Sequence, residues 1–208
     1  MRAAAGLPTV HSPGVAAARE SRLRTLAGLT ESVLALPMIV ESALPFIITE
    51  AGVTRVGGED LMKVRGVVQR ANEVNSNGRI YPRSLLAREV ARLTIEIENG
   101  RSLFGEADHP EDGQSRIVDT AALWKSLRLA EDNSVIGEAL ILRTPMGQVL
   151  EGILRAGGRP GVSARGFGTS VRGEYAGVKG DIVQDDYRLC TFDFVVVPST
   201  RCAYVEAP

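Results

Sequence analysis

A histidine and a serine, each in an unusual local sequence, could together perform nucleophilic catalysis. His109 lies in the polar segment Gly-Glu-Ala-Asp-His-Pro at residues 105–110, and Ser163 lies in the glycine-bordered segment Pro-Gly-Val-Ser-Ala-Arg-Gly-Phe-Gly at residues 160–168. A serine hydroxyl is a weak nucleophile at neutral pH unless a nearby base accepts its proton, and histidine is the side chain best suited to that task. The only other histidine, His11, is near the N-terminus, so a serine hydrolase built from this chain needs His109 as its base.

Composition excludes several other classes of function. The chain has 208 residues, with 24 Lys+Arg against 25 Asp+Glu and an aromatic content of 5%. Balanced charge gives no basic field for nucleic acid or an anionic membrane, and few aromatic residues remain for stacking on single strands. Cys190 and Cys202 are too few for a disulfide framework and lack metal-site spacing with any histidine. We therefore expect no metal, no cofactor and reduced thiols, with a single bridge between the two cysteines as the alternative. The length suits either one domain of generous size or one domain with a tail.

The first 58 residues differ from the rest and are predicted to form a propeptide-like leader that is partly disordered. Residues 1–24 are rich in Ala, Arg, Gly and Pro without a helical stripe. The apolar stretch at residues 33–48 is interrupted by Pro37, Glu41 and Pro45, whereas a membrane span needs about twenty apolar residues with few breaks. Short strands are therefore expected there, and the domain proper is predicted to cover residues 59–208.

The pattern of residues 59–208 predicts mostly strands with two helices. Turn signals at residues 72–78 and 132–133 separate the segments, and Thr144 followed by Pro145 is a favourable helix start. The predicted strands cover residues 61–68, 117–124, 126–130, 135–142, 161–169 and 187–197, the helices cover residues 81–98 and 145–156, and residues 172–184 form a hydrophilic connection. Strand alternation places Phe192 and Phe194 on one face of the last strand and Asp193 on the other, where the acid is either solvated or directed at a partner.

Five segments taken in order resemble the prohead (head maturation) proteases of tailed bacteriophages, particularly the T4-type group. They read Asn-Ser-Asn-Gly-Arg-Ile-Tyr-Pro at residues 75–82, the segment around His109, Ile-Leu-Arg-Thr-Pro-Met-Gly at residues 141–147, the segment around Ser163, and Asp-Phe-Val-Val-Val-Pro-Ser at residues 193–199. The resemblance covers roughly residues 60–203. It implies an α+β fold similar to the herpesvirus assemblin proteases, a mostly antiparallel β-barrel surrounded by helices.

The resemblance also implies a role for each candidate site residue. Ser163 is expected to attack the peptide carbonyl and His109 to accept its proton. For the third member, Asp193 is preferred because it follows the serine on a strand, as the third member does in herpesvirus-type sites. The remaining acidic alternatives are Glu138, Asp119 and Asp108.

The oxyanion of the reaction is expected to be stabilised near Arg165 and Gly166. Backbone N–H groups of these residues are the first candidates, with the Arg165 guanidinium as a second donor. An ordinary surface ion pair is the alternative for this arginine. Loss of one oxyanion donor typically costs about 3 kcal/mol of transition-state stabilisation.

The implied activity is a serine endopeptidase that cleaves scaffold and head proteins inside the immature capsid in the host cytoplasm. Proteases of this kind favour cleavage after glutamate with Leu or Ile two residues earlier, and this pattern recurs upstream of the domain at Glu31, Glu41 and Glu50. A self-cleaved propeptide is therefore predicted, although Leu129-Ala130-Glu131 inside the domain also fits. The resemblance to dimeric herpesvirus enzymes is compatible with a homo-oligomer.

Two other classes of function remain open. An esterase or amidase of the α/β-hydrolase type is disfavoured because its Gly-x-Ser-x-Gly elbow is absent around Ser163. A noncatalytic capsid or scaffold module that keeps the same barrel is the principal alternative.

Overall fold

A computed structural model of the chain describes residues 36–40, 44–45, 48–111 and 113–196. Two helices, one short 3-10 turn and twelve strands are present among these residues. The helices are α1 (Arg83–Glu98) and α2 (Pro145–Arg155), and the 3-10 turn is Ile117–Asp119. The strands are β1 (Met38–Val40), β2 (Leu44–Pro45), β3 (Ile48–Val56), β4 (Glu59–Arg70), β5 (Arg79–Ile80), β6 (Leu103–Glu106), β7 (Thr120–Leu129), β8 (Ser134–Ile141), β9 (Gly161–Phe167), β10 (Ser170–Tyr175), β11 (Val178–Val183) and β12 (Arg188–Val195).

The strands form three sheets rather than the predicted barrel. A five-stranded antiparallel sheet has the order β3-β4-β8-β7-β6, a four-stranded sheet places β9 between β12 and the short β1 and β2, and a three-stranded sheet has the order β10-β11-β5. The prediction of a closed barrel is wrong because β3 and β6, the edges of the five-stranded sheet, do not pair with each other. After β6 the chain turns to the neighbouring sheet instead, where Ala107 forms a parallel bridge with Phe194.

The two sheets that carry the candidate residues meet at Trp124. Its ring stacks on Phe194 at a centroid distance of 5.7 Å and meets Phe192 edge-on at 5.7 Å, and its indole N–H donates to the Phe192 carbonyl at 2.8 Å. Gly105 permits this approach, since a Cβ there would lie 2.7 Å from the Phe192 carbonyl oxygen. The shared apolar face predicted for Phe192 and Phe194 is thus confirmed, and β6 lies directly beside β12.

Both helices agree with the sequence predictions. In α1, Leu85, Leu86, Val90 and Leu93 are buried, and the Thr94 hydroxyl donates to the Leu127 carbonyl of β7 at 3.1 Å. In α2, the Thr144 side chain caps the N-terminus by accepting from the Gly147 N–H at 3.1 Å, with proline at the first position as expected. No helix in the described part of the chain is both long and apolar enough to cross a membrane.

Two strand predictions were wrong. Residues 117–119 form the 3-10 turn, and residues 120–129 form one continuous strand rather than two. The strand has a register shift between Trp124 and Ser126, which leaves Lys125 and Ser126 exposed in succession. A bulge of this kind shifts the alternation of buried and exposed residues. The sequence pattern therefore predicts an interruption at Lys125, between two separate strands. The connection at residues 172–184 was predicted without strands, yet it contains most of the β10–β11 hairpin.

Three strands precede residue 59 and pair with strands of the predicted domain. β1 and β2 pair with β9, and β3 pairs with β4 across the predicted boundary at residues 58 and 59. All of these elements belong to a compact unit that begins at Pro37. A leader function for the residues before 59 remains a prediction.

Candidate active site

Adjacent strands bring Ser163 and Asp193 together. β9 and β12 are antiparallel, and in their register Ser163 lies directly opposite Asp193. Side chains of directly opposed residues share one face of a sheet, which places the hydroxyl and the carboxylate side by side. Both residues are almost fully buried, with 1% and 0% of their surfaces exposed.

The loop that follows β6 brings His109 to these two residues. Asp108 adopts a positive φ of 67°, and its backbone N–H donates to the Phe194 carbonyl at 2.7 Å. Together with the Ala107–Phe194 bridge, this hydrogen bond fixes the start of the loop against β12. The His109 ring lies 2.7 Å from Ser163 Oγ through Nε2 and 2.7 Å from Asp193 Oδ2 through Nδ1.

The two contacts of the ring define its chemistry. With Nδ1 carrying a proton toward the carboxylate of Asp193, Nε2 is left as an acceptor for the Ser163 hydroxyl. The carboxylate also favours the positively charged imidazolium that forms when the ring takes a proton. The arrangement can therefore deprotonate a serine hydroxyl as it attacks.

Asp193 is held by four hydrogen bonds, two on each oxygen. Oδ2 accepts from His109 Nδ1 and from Arg165 Nε at 2.8 Å, and Oδ1 accepts from the Glu106 backbone N–H at 3.1 Å and from Arg165 Nη2 at 3.2 Å. A carboxylate bonded in this way has little rotational freedom. Its orientation toward the imidazole is set by the surrounding protein.

Arg165 is fully buried and makes protein contacts with all three guanidinium nitrogens. Besides Asp193, it donates from Nη1 to the Gly113 carbonyl at 2.7 Å and from Nη2 to Glu106 Oε2 at 2.9 Å and to Ser115 Oγ at 3.1 Å. The guanidinium thus binds carboxylates, a hydroxyl and a carbonyl of the protein, and its role as an oxyanion donor stays a prediction. The surface ion-pair alternative is wrong, since the side chain is buried.

Gly166 has a packing requirement that explains the residue type. A Cβ at this position would lie 2.6 Å from both the Arg188 carbonyl oxygen and the Tyr187 ring. The backbone of Gly166 pairs with Ile39 of β1 on one side and Leu189 of β12 on the other. Its predicted contribution of a backbone N–H to an oxyanion site stays a prediction.

The other acids considered for the third position have different surroundings. Asp108 is exposed, Glu138 lies 3.4 Å from the Lys63 ammonium, and Asp119 ends the 3-10 turn. Among the predicted acids, the one that contacts the far side of the His109 ring is Asp193.

Glu106 was missed by the sequence reasoning. It is 1% exposed, and its carboxylate accepts from Arg165 and from the Arg116 backbone N–H. Burial raises the pKa of Glu106, and the charges of Asp193 and Asp119 add to this effect, whereas the Arg116 N–H and the Arg165 charge lower the pKa. The available signal was an acid three residues before His109 in the same polar segment.

Only one of the three candidate self-cleavage sites lies among the described residues. Glu50 lies in β3 opposite Arg65, and Glu31 and Glu41 lie outside the described residues.

Within the described ranges, no group of three or more His, Cys, Asp or Glu side chains is arranged to hold a metal ion.

Comparison with known proteins places this geometry in context. A family described as prohead core protein serine protease matches residues 27–208. The prohead core protein protease of Enterobacteria phage T4 is 30% identical over 161 residues, covering 71% of this chain and 72% of that protein. The solved structure of the bacteriophage T4 capsid assembly protease, gp21, has a TM-score of 0.65 and 25% identity, covering 76% of this chain and 96% of that one.

Proposed function

The chain belongs to the prohead core protein serine protease family, and from this membership we propose that it is a serine endopeptidase of capsid maturation with Ser163, His109 and Asp193 as its triad. The observation that carries the assignment is the continuous relay from hydroxyl to imidazole to carboxylate, with both intervening distances at 2.7 Å. The same relay performs acyl transfer on several unrelated folds.

In the proposed reaction, Ser163 Oγ forms a bond to the scissile carbonyl carbon as its proton passes to His109 Nε2. The tetrahedral intermediate collapses when the carbon–nitrogen bond breaks, and His109 returns the proton to the departing amine. Water then attacks the acyl ester, again giving its proton to His109, and Ser163 is released with its hydroxyl restored. Asp193 holds the ring in the productive tautomer and stabilises its charged form, and Arg165 acts as a positioning residue for that carboxylate.

The substrates are inferred from the relatives. Their names describe a prohead core protease and a capsid assembly protease, and on this basis we assign scaffold and major capsid proteins as substrates. The enzyme would act inside the immature prohead in the host cytoplasm and cut after glutamate. Assembly into a homo-oligomer belongs to the same proposal.

Covalent labelling tests the proposed activity directly. A peptidyl diphenyl phosphonate ending in glutamate should label Ser163, because the activated Oγ displaces phenoxide from phosphorus only when His109 accepts its proton. We expect labelling of the wild-type protein, identified by peptide mass spectrometry, and its loss in His109→Ala.

Substitution of a serine outside the relay provides the control for labelling. Ser170 is exposed at the start of β10, and Ser170→Ala should be labelled as fast as wild type. A wild-type protein that stays unlabelled in assembled proheads would overturn the enzymatic proposal and favour a noncatalytic capsid module.

Self-cleavage is the second part of the proposal, and the pairing of β9 supports it. On the edge of β9 away from β12, Val40 of β1 pairs with Arg165 and Leu44 of β2 pairs with Val162. The upstream segment thus pairs with the nucleophile strand on either side of positions 163 and 164. Extended peptides commonly bind by adding a strand to a sheet edge, and the upstream segment occupies this edge of β9 in that way.

N-terminal sequencing tests self-cleavage. Wild-type protein should begin after Glu31, Glu41 or Glu50, whereas Ser163→Ala should keep Met1. Adding catalytic amounts of wild-type enzyme to the Ser163→Ala protein separates cleavage between molecules from cleavage within one. Fully active enzyme that retains an intact Met1 would refute the propeptide.

A further inference from the structure

The contact between Asp193 and Arg165 raises an electrostatic problem for the proposed triad. Asp193 stabilises the imidazolium of His109 through its negative charge, yet the Arg165 guanidinium bonds to both of its oxygens at 2.8 and 3.2 Å. In a buried site a guanidinium at this range opposes the formation of a second positive charge nearby. Arg165 alone would therefore weaken the base that Asp193 supports.

Glu106 lies where it can offset this effect. Its Oε2 accepts from Arg165 Nη2 at 2.9 Å, the same nitrogen that donates to Asp193 Oδ1. Both carboxylates and the guanidinium are almost completely buried. Two carboxylates and one guanidinium leave one net negative charge beside His109, as a lone aspartate would.

Glu106 also closes the loop that carries His109. Its backbone N–H donates to Asp193 Oδ1 at 3.1 Å, and its Oε1 accepts the backbone N–H of Arg116, ten residues further along. Arg165 holds the same loop through Gly113 and Ser115. One buried ion pair thus fixes both the acid of the relay and the segment that holds its base.

We propose that Glu106 is a positioning residue of the reaction: it neutralises Arg165, so that Asp193 is held rigidly and still supports a positive charge on His109. This inference rests on the proposed function. The charged groups that act on Glu106 are Arg165 from β9, Asp193 from β12 and Asp119 from the 3-10 turn, and Arg116 on the loop contacts it through its backbone N–H. The proposal assigns Glu106 no contact with substrate.

The pH dependence of phosphonate labelling tests the proposal. In Glu106→Gln the cluster of Glu106, Arg165 and Asp193 loses its net negative charge, so His109 takes up a proton less readily. The acidic limb in the pH profile of the second-order labelling rate should therefore move to lower pH by about one unit. The plateau rate at higher pH should fall about tenfold, because a weaker base accepts the serine proton less well. A residue that served only to stabilise the fold would change the melting temperature and leave the limb in place.

Matched variants make the test specific. Glu111→Gln removes an equal charge from an exposed position on the same loop and should leave the acidic limb within about 0.2 units of wild type, since exposed charges are screened. The double variant Glu106→Gln/Arg165→Met removes both charges and restores one net negative charge, so its limb should return toward that of wild type. If Glu106→Gln does not fold, Arg165→Met gives the converse test. Burial already raises the pKa of Glu106, and without the guanidinium this carboxylate takes up a proton beside Asp193, so one net negative charge stays beside His109 and the acidic limb should not move to lower pH.

The outcomes separate this inference from the proposed function. An unlabelled wild-type protein would contradict the protease assignment itself. A labelled wild type with an unchanged acidic limb in Glu106→Gln, or a limb that moves to lower pH in Arg165→Met, would overturn the role of Glu106 and leave the triad intact.

Discussion

Ser163→Ala is expected to lower kcat for peptide cleavage about 10⁶-fold, the scale on which loss of a serine nucleophile acts. The variant keeps the fold, because Ser163 is a small residue in a strand that pairs on both sides, and loss of one hydroxyl leaves that pairing unchanged. What disappears is the atom that lies 2.7 Å from His109 Nε2. Single-turnover cleavage of a glutamate-containing peptide, followed by mass spectrometry, measures the effect.

His109→Ala should have nearly the same effect, and combining it with Ser163→Ala should add little. Members of a relay act as a unit, so their losses are not additive. Independent tenfold or hundredfold effects that multiply in the double variant would contradict the proposed relay, as would appreciable cleavage by Ser163→Ala. Unfolding in denaturant verifies that each variant is folded during the assay.

The proximity of Ser163 and His109 could be anticipated from residue types, since a chain with two histidines offers few bases. Asp193 could be anticipated from strand alternation and the family resemblance. The first of these inferences needs only local sequence and a known reaction, whereas the second also needs the resemblance. The structure adds the register that places Ser163 opposite Asp193.

The surroundings of Arg165 could not be read from the sequence because they depend on contacts between distant segments. Its partners Glu106, Ser115 and Asp193 come from β6, the loop and β12, and β6 reaches β12 only because Gly105 lacks a side chain. A motif that contains serine, arginine and glycine indicates a site. It does not say which way a guanidinium faces.

The sequence predicts best those strands and helices that bury one face and expose the other. The strand before residue 70 and both helices have a buried face that the periodicity reveals, and these predictions hold. The β10–β11 hairpin escaped detection because β10 is largely exposed, which removes the alternation on which strand prediction depends. Its turn carries positive φ angles at Ala176 and Gly177, and alanine gives no signal for that conformation.

Asp193→Asn is expected to lower kcat about 10⁴-fold with the fold retained. An asparagine has one amide group that donates, and every oxygen of Asp193 already faces donors. With the amide toward His109, the ring must accept at Nδ1 and carry its proton on Nε2, where it can no longer act as a base toward Ser163. With the amide reversed, it opposes the Glu106 N–H and Arg165.

Both orientations also leave buried donors unpaired, so the variant should lose about 3 kcal/mol of unfolding free energy. Asp108→Asn is the matched control, because Asp108 is exposed beside His109 and asparagine tolerates its positive φ. We expect that control to keep kcat within about twofold of wild type, measured with the same peptide. If Asp108→Asn proved as damaging as Asp193→Asn, or if Asp193→Asn kept most of its activity, the acid of the relay would have to be sought elsewhere. The reduced rate should not recover at higher pH, because the defect is a misplaced proton on a neutral ring rather than an excess of protonated imidazole.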